Sequence, residues 1–463
     1  MNKNPERASK RSCLLIALVL FIGIPISLIA LGLLLWFGRE AFGSRELKSR
    51  IAKVTRQGFP VDNATVETFY KDRTDPANTN AWLAVIGTIN SAEFAASGNR
   101  VPLVGAAGGE LPTELDSVWQ EEQIARDFLL KWKPLISEIS RLSIDAKPVR
   151  FPIVFDSFNS LDMARIQGMR QLARLIQLQV TIELRDRNST GIRDSIEAML
   201  GIGRVNAGEP MIVSHLVSIA IDGMAYGLLK DAIQIDALSE ADLQHLLPRV
   251  LAKTNVGEDW KTAFAGERAL ALPLFSDRKL AKASGVVLPF TSSRDAIRYI
   301  DVVDSLLEAP SNDLSEFKAN VDSTVRELSR NNAQANWITQ LDSIMTSQTL
   351  PAVWATSEAF LRRSMQYRIA ALAIGLRLHE DRHGSLPNSL NELTNIPMQV
   401  DQLSPSKNQS FGYRLERTGA RLWGGTNNNI FAIPTEPVLL EPDDKEIDTS
   451  GVSFWTWELR VKK

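Results

Sequence analysis

The residues His379-Glu380-Asp381-Arg382-His383 satisfy the H-E-x-x-H spacing, which places two imidazoles one turn apart on the same face of a helix. On a rigid helix both rings can bind one Zn²⁺ while the intervening carboxylate activates a metal-bound water. That is the chemistry of a zinc hydrolase, with His379 and His383 as ligands and Glu380 as base. The surroundings point elsewhere. The two middle positions are Asp and Arg, Gly384 follows as a helix stop, and Ser385-Leu386-Pro387 brings no third histidine. The expectation is a solvated helix terminus whose histidines and Arg382 complement the helix dipole.

A second constellation is His215, Asp222 and Tyr226, within about 40° of one another around a helix from Met211 to Lys230 at about 100° per residue. His215 and Asp222 are roughly 10 Å apart along the axis, too far for a direct acid-base hydrogen bond. The stripe reads as a polar seam against a neighbouring helix, and it becomes a ligand groove only if a cavity of a few hundred Å³ opens beside it. Charges on apolar faces carry a stronger demand. Glu267 shares a face with Ala263, Phe264, Leu270 and Ala271, while Arg165 and Glu183 share one with Leu161, Leu172 and Ile176. An unpaired buried charge costs several kcal/mol, so each requires a partner. Glu267 is expected to meet an arginine, with Arg165 the first candidate, as a structural ion pair between helices; the alternative is a carboxylate with a raised pKa serving as general acid.

The elements that must position these groups are helical from about Ser44 to His383. Short breaks fall at Gly58-Phe59-Pro60, Val101-Pro102, Gly108-Gly109, Lys147-Pro148, Glu209-Pro210 and Leu288-Pro289. Segments of 15 to 30 residues between breaks suggest an irregular stack of helical hairpins, with Lys147 to Phe155 a short extended connector. After Gly384 the pattern changes to short runs, Phe411 to Leu415, Ala420 to Trp423, Ile430 to Ile433 and Val452 to Val461. In the last of these, Trp455, Trp457, Leu459 and Val461 alternate with polar residues, as in a strand with one buried face. The fold class is therefore mainly α, with a helical domain over 38–384 and a small β-rich region over 385–463.

Cys13 to Phe37 is 25 residues long without a charge, enough to cross a hydrocarbon core of about 30 Å at about 1.5 Å per residue. It reads as a transmembrane helix behind a short tail, 1–12. A cleaved signal would carry small residues where Leu33 to Phe37 stand. Basic residues balance across the span, and the short tail and long C-terminal portion favour a signal-anchor with the N-terminus cytoplasmic and the rest extracytoplasmic. The 52 Lys and Arg against 54 Asp and Glu leave a formal −2, far from the basic excess of a nucleic-acid binder. Residues 1–12 carry four basic groups and one acidic, so the remainder holds a formal −5. Cys13 is the single cysteine, which leaves the body without a disulfide or a thiolate.

Several segments together resemble a group of uncharacterised membrane-anchored proteins of planctomycete bacteria. They are Arg56-Gln57-Gly58-Phe59-Pro60, Val149-Arg150-Phe151-Pro152, Met169-Arg170-Gln171-Leu172-Ala173-Arg174-Leu175, Ala265-Gly266-Glu267-Arg268-Ala269 and the run from Arg382-His383-Gly384 to Leu393. The sequence departs from that group at Ser385-Leu386 and at Asp401 to Pro405, where an Asp-Pro-Phe segment is usual. The resemblance implies an anchored envelope protein, and no catalytic role attaches to its motifs. The sequence thus points to a bacterial membrane-anchored scaffold or interaction protein without cofactor, with a zinc hydrolase at His379, Glu380 and His383 as the alternative.

Overall fold

Helices follow one another in an order set by the breaks. The computed structural model describes residues 24–424 and 456–460, except 106, 110, 113–114, 116, 156–161, 276, 278, 280–281, 283–292, 335–343, 395 and 398; side chains at 24–37, 331–332, 344–345 and 347–351 also lie outside the description. The first half of the expected span, the break at Leu288-Pro289, and the run Ile430 to Ile433 fall outside the described residues.

The early helices are α1 Ile24–Arg56, α2 Asn63–Arg73, α3 Thr79–Ile89, α4 Ala92–Gly98, α5 Glu122–Lys131 and α6 Lys133–Ser143. The central ones are α7 Met163–Arg185, α8 Ser189–Val205, α9 Ile212–Gln234, α10 Glu240–Ala252 and α11 Gly257–Ala271. They are followed by α12 Ser293–Glu308, α13 Leu314–Ala333, α14 Ile344–His383 and the short α15 Val400–Leu403. The protein is mainly helical, as its periodicity requires.

Capping explains several of the starts. Asp62 and Ser239 form capping boxes at α2 and α10, and the carboxylate of Asp162 accepts from the Arg165 amide at α7. In α7 the positions Ile166, Met169, Leu172, Ala173, Ile176 and Val180 recur at helical spacing, and all are buried. α9 is apolar on most of its circumference, and accordingly it occupies the centre, packed on α7, α8, α11 and α14. It is the one helix among the described residues long and apolar enough to cross a membrane, but more than half of that stretch is buried within the protein.

Between α6 and α7 the chain is extended, as the Lys147 to Phe155 pattern predicts, and Val149 bridges Asp75 in parallel. Three antiparallel strands, β1 Gly412–Glu416, β2 Gly419–Trp423 and β3 Trp457–Arg460, form a sheet in that order, with Leu422 opposite Trp457 and Ala420 opposite Leu459. Trp457 and Leu459 are buried while Glu458 and Arg460 are exposed, the alternation read from the sequence. The Trp457 indole lies edge-on to Tyr226 of α9 and donates to its hydroxyl at 2.9 Å. The sheet and the helices thus share one core.

Candidate functional site

The H-E-x-x-H residues end α14, and Gly384 at φ 75° terminates the helix as the sequence suggests. The rings of His379 and His383 stack at 4.1 Å between centroids, and His383 Nδ1 lies 3.0 Å from the His379 carbonyl. Glu380 faces the other way. Its carboxylate is buried and accepts from Arg377 Nη1 at 2.7 Å, while the same guanidinium donates to the carbonyls of Arg460 at 2.6 Å and Ile233 at 3.2 Å. The terminus is thus not wholly solvated as expected, because Glu380 is buried against Arg377, the residue that ties α14 to α9 and β3. A carboxylate held this way is turned from the two imidazoles and is not placed to activate water between them. Among the described residues no group of three or more His, Cys, Asp or Glu side chains is arranged to hold a metal ion.

The α9 stripe lies inside the protein. His215, Asp222 and Tyr226 are all buried. Burial lowers the His215 pKa, and its Nε2 sits 2.9 Å from the Glu209 carbonyl. Asp222 is the hub of a buried charge cluster. Lys253, just past α10, donates to its Oδ1 at 2.7 Å; Arg363 of α14 approaches Oδ2 at 3.5 Å and donates to Asp259 of α11 at 2.6 Å. The Tyr367 hydroxyl donates to the Asp222 backbone carbonyl at 2.7 Å.

Each charge answers another. Burial lowers the Lys253 pKa against the opposing pull of Asp222. Burial pushes Asp259 up, but Arg363, His215 and Lys253 outweigh it and leave the carboxyl below its usual value. Gly203 of α8 makes room for the cluster, since a Cβ there would lie 2.3 Å from Asp222 Oδ1. Four elements supply four charges, and no spacing along the chain announces them. Lys253, Asp259 and Arg363 were therefore beyond sequence reasoning.

The pairing expected between Glu267 and Arg165 does not occur. Arg165 lies over the Phe151 ring and makes a two-pronged pair with Glu209, at 2.6 and 3.0 Å, with Ser214 donating to the same carboxylate at 2.5 Å. Glu267 instead accepts from the amide of Ile212 at 3.0 Å, at the first turn of α9. A helix start presents unpaired N–H groups and the positive end of the macrodipole, so it satisfies a carboxylate without an arginine. Burial pushes the Glu267 pKa up to about 7. Its neighbour Arg268 pairs with Asp304 and lies near the Phe59 ring, and Gly266 lets α11 touch Pro210, whose carbonyl a Cβ would meet at 2.1 Å. Glu183 receives the side-chain amides of Gln179 and, at 2.5 Å, Asn188. Phe59, Phe151, Gly266, Glu267 and Arg268 are therefore packing and pairing points.

Beside the charge cluster opens a cleft of about 420 Å³, bordered by α2, α6, α8, α10, α11 and α14. Lys253 and Arg363 form part of its buried wall; Arg73, Asp145, Arg204 and Glu258 stand at its exposed rim. Arg249 ties the rim inward, paired with Glu197 and, at 3.4 Å, with Asp145. This is a cavity of the size that the α9 stripe required, although it opens on the partners of Asp222 and not on His215. Comparison with known proteins adds no relative: no family model matches the chain, and no curated protein or solved structure is significantly similar to it.

Proposed function

We propose that the chain is a single-span, membrane-anchored extracytoplasmic helical protein that serves as a scaffold or interaction protein of the bacterial cell envelope, with its N-terminus cytoplasmic. The observation that supports this reading is the continuity of α1. This helix runs unbroken from the uncharged stretch to Arg56 and lies along α12. Glu40 accepts from the Ser293 amide at 2.9 Å and from its hydroxyl at 2.5 Å, Gly43 leaves room for the Ser293 side chain, and Arg50 pairs with Asp301 at 2.9 Å. A flexible tether would permit the body to rotate freely; a docked helix fixes its orientation, which suits a protein that presents a surface at a set position.

The test is fractionation of cells producing the full chain with a C-terminal tag. The expected result is retention in the membrane through alkaline extraction, with the tag digested by protease added to spheroplasts. Release by alkali, or protection of the tag in intact spheroplasts, would overturn the proposal.

A further inference from the structure

We infer that Arg39, Arg294 and Arg298 form a docking site for the headgroup of an anionic phospholipid, at the point where α1 leaves the membrane beside the start of α12. The inference rests on the anchored reading above and names the lipid that the anchored body selects.

The packing of α1 on α12 builds the site. Glu40 meets Ser293 and, further along, Arg50 meets Asp301, so the two helices run parallel and α12 begins at the membrane end of the body. Gly43 permits the close approach, since a Cβ there would lie 3.5 Å from Arg294 Cγ. Arg39 follows Phe37, the last residue of the uncharged stretch, by two positions and Gly43 follows it by six, about 3 and 9 Å along the helix axis. The headgroup layer beyond the hydrocarbon core is roughly 5–8 Å deep on each side. Helical side chains tilt toward the N-terminus of their own helix, so Arg294 and Arg298, one turn apart on α12, lean back toward that layer.

Charge at this end is not cancelled. Arg294 and Arg298 have no ion pair among the described residues, and Nη1 of Arg298 is buried without a hydrogen-bond partner. The carboxylates beside them on α12 are committed elsewhere. Asp295 is buried and accepts from the Thr346 amide at 3.3 Å and hydroxyl at 2.6 Å, while Asp301 pairs with Arg50. Glu40 favours the charged form of Arg39, but burial and the repulsion of Arg294 and Arg298 outweigh it and lower the Arg39 pKa. The fold thus holds three guanidinium groups close enough to repel, and such groups offer paired donors that match phosphate oxygens.

Phe42 favours a lipid over a soluble anion. It lies one turn from Arg39 and is 72% exposed, an apolar ring at the level where headgroups give way to acyl chains. A soluble anion would leave that ring in water. The chain beyond residue 12 holds a formal −5, so this basic end runs against the sign of the body. An anionic leaflet attracts the end that carries the arginines and repels the rest.

The test places the full chain in bilayer nanodiscs of equal phosphatidylglycerol and phosphatidylcholine and counts, by native mass spectrometry, the lipids that stay bound after transfer to detergent. The expected result is a preference for phosphatidylglycerol of about tenfold or more, reduced about fivefold by Arg294→Ala and by Arg298→Ala, and to near one by the double variant. Arg294→Lys with Arg298→Lys keeps both charges and retains most of the preference. Arg141→Ala with Arg174→Ala, the same loss of charge from exposed positions on α6 and α7, leaves it unchanged. Equal retention of the two lipids by the wild type, or an unaltered ratio in the double alanine variant, overturns the inference and leaves the anchored reading standing. A chain that does not enter nanodiscs overturns both. Arg294 is exposed, so Arg294→Ala preserves the fold and decides the matter even if Arg298→Ala does not fold.

Discussion

Two regions of the single helix α14 show how chemistry-bearing residues differ in what they become. At its end, five residues adjacent in sequence match a catalytic pattern, yet the two imidazoles stack on each other and the carboxylate between them turns inward to Arg377. Some five turns earlier, the single arginine Arg363 matches no pattern and meets Asp259 and, more distantly, Asp222, from two other helices. A short motif fixes only which side chains share a face. Whether they form a site depends on what the rest of the fold brings opposite that face. Nothing among the described residues comes opposite His379 and His383 to complete a metal site, whereas Arg363 lies where α9, α10 and α11 converge.

The sharpest way to break this contrast is to remove one charge from each region. Arg363→Met leaves Asp222 and Asp259 buried with less compensation, and it is expected to lower stability by about 3–5 kcal/mol, read from the urea midpoint of the purified chain. A loss below 1 kcal/mol would mean that the cluster is wetter and weaker than its geometry. Glu380→Ala strands Arg377, which keeps two carbonyl partners, so the expected loss is smaller, about 2–3 kcal/mol. If that variant matched the wild type in urea, Glu380 would be free for another role and the contrast between motif and cluster would collapse.

Glu267 supplies a smaller effect that depends on pH. Its carboxyl titrates at about 7 in the folded protein against an ordinary 4.5 when unfolded. The folded chain therefore binds the extra proton between those values. The resulting stabilisation is full below about 4.5, declines as pH rises, and is gone above about 7, a change on the order of 3 kcal/mol. Glu267→Gln keeps an oxygen for the Ile212 amide and should flatten that slope in urea titrations between pH 5 and 8 (about the window of the shift). An unaltered slope would assign the pH dependence elsewhere. The smallest effect belongs to the exposed end of α14. His379→Ala and His383→Ala should each shift stability by less than about 0.5 kcal/mol and leave the metal content of the purified protein unchanged. Stoichiometric zinc lost on His383→Ala would reinstate the hydrolase reading.

Much of the fold was legible because it rests on local rules. The breaks at Gly58, Pro148 and Pro210 separate the elements as read, Gly384 closes α14, and the Trp457 to Arg460 alternation forms an edge strand with one buried face. Partners were not legible. The demand that Arg165 and Glu267 be satisfied was sound, but a demand does not name its answer. Glu209 entered the sequence reading only as part of a break before Pro210, and the amide of Ile212 carries no mark in the sequence. The cleft was illegible for the same reason, since Arg73 and Arg204 at its rim stand 131 positions apart in the sequence, on α2 and α8.

The burial of Trp457 bears on the order in which the chain is made. The Tyr226 hydroxyl and one donor of Arg377 await β3, which is synthesised long after α9 and well after α14. A nascent chain that has released its whole helical portion still exposes an apolar recess over Tyr226. Folding therefore closes from the C-terminal side, when residues 457–460 arrive. A protease cut just before Trp457 would return the recess to that open state.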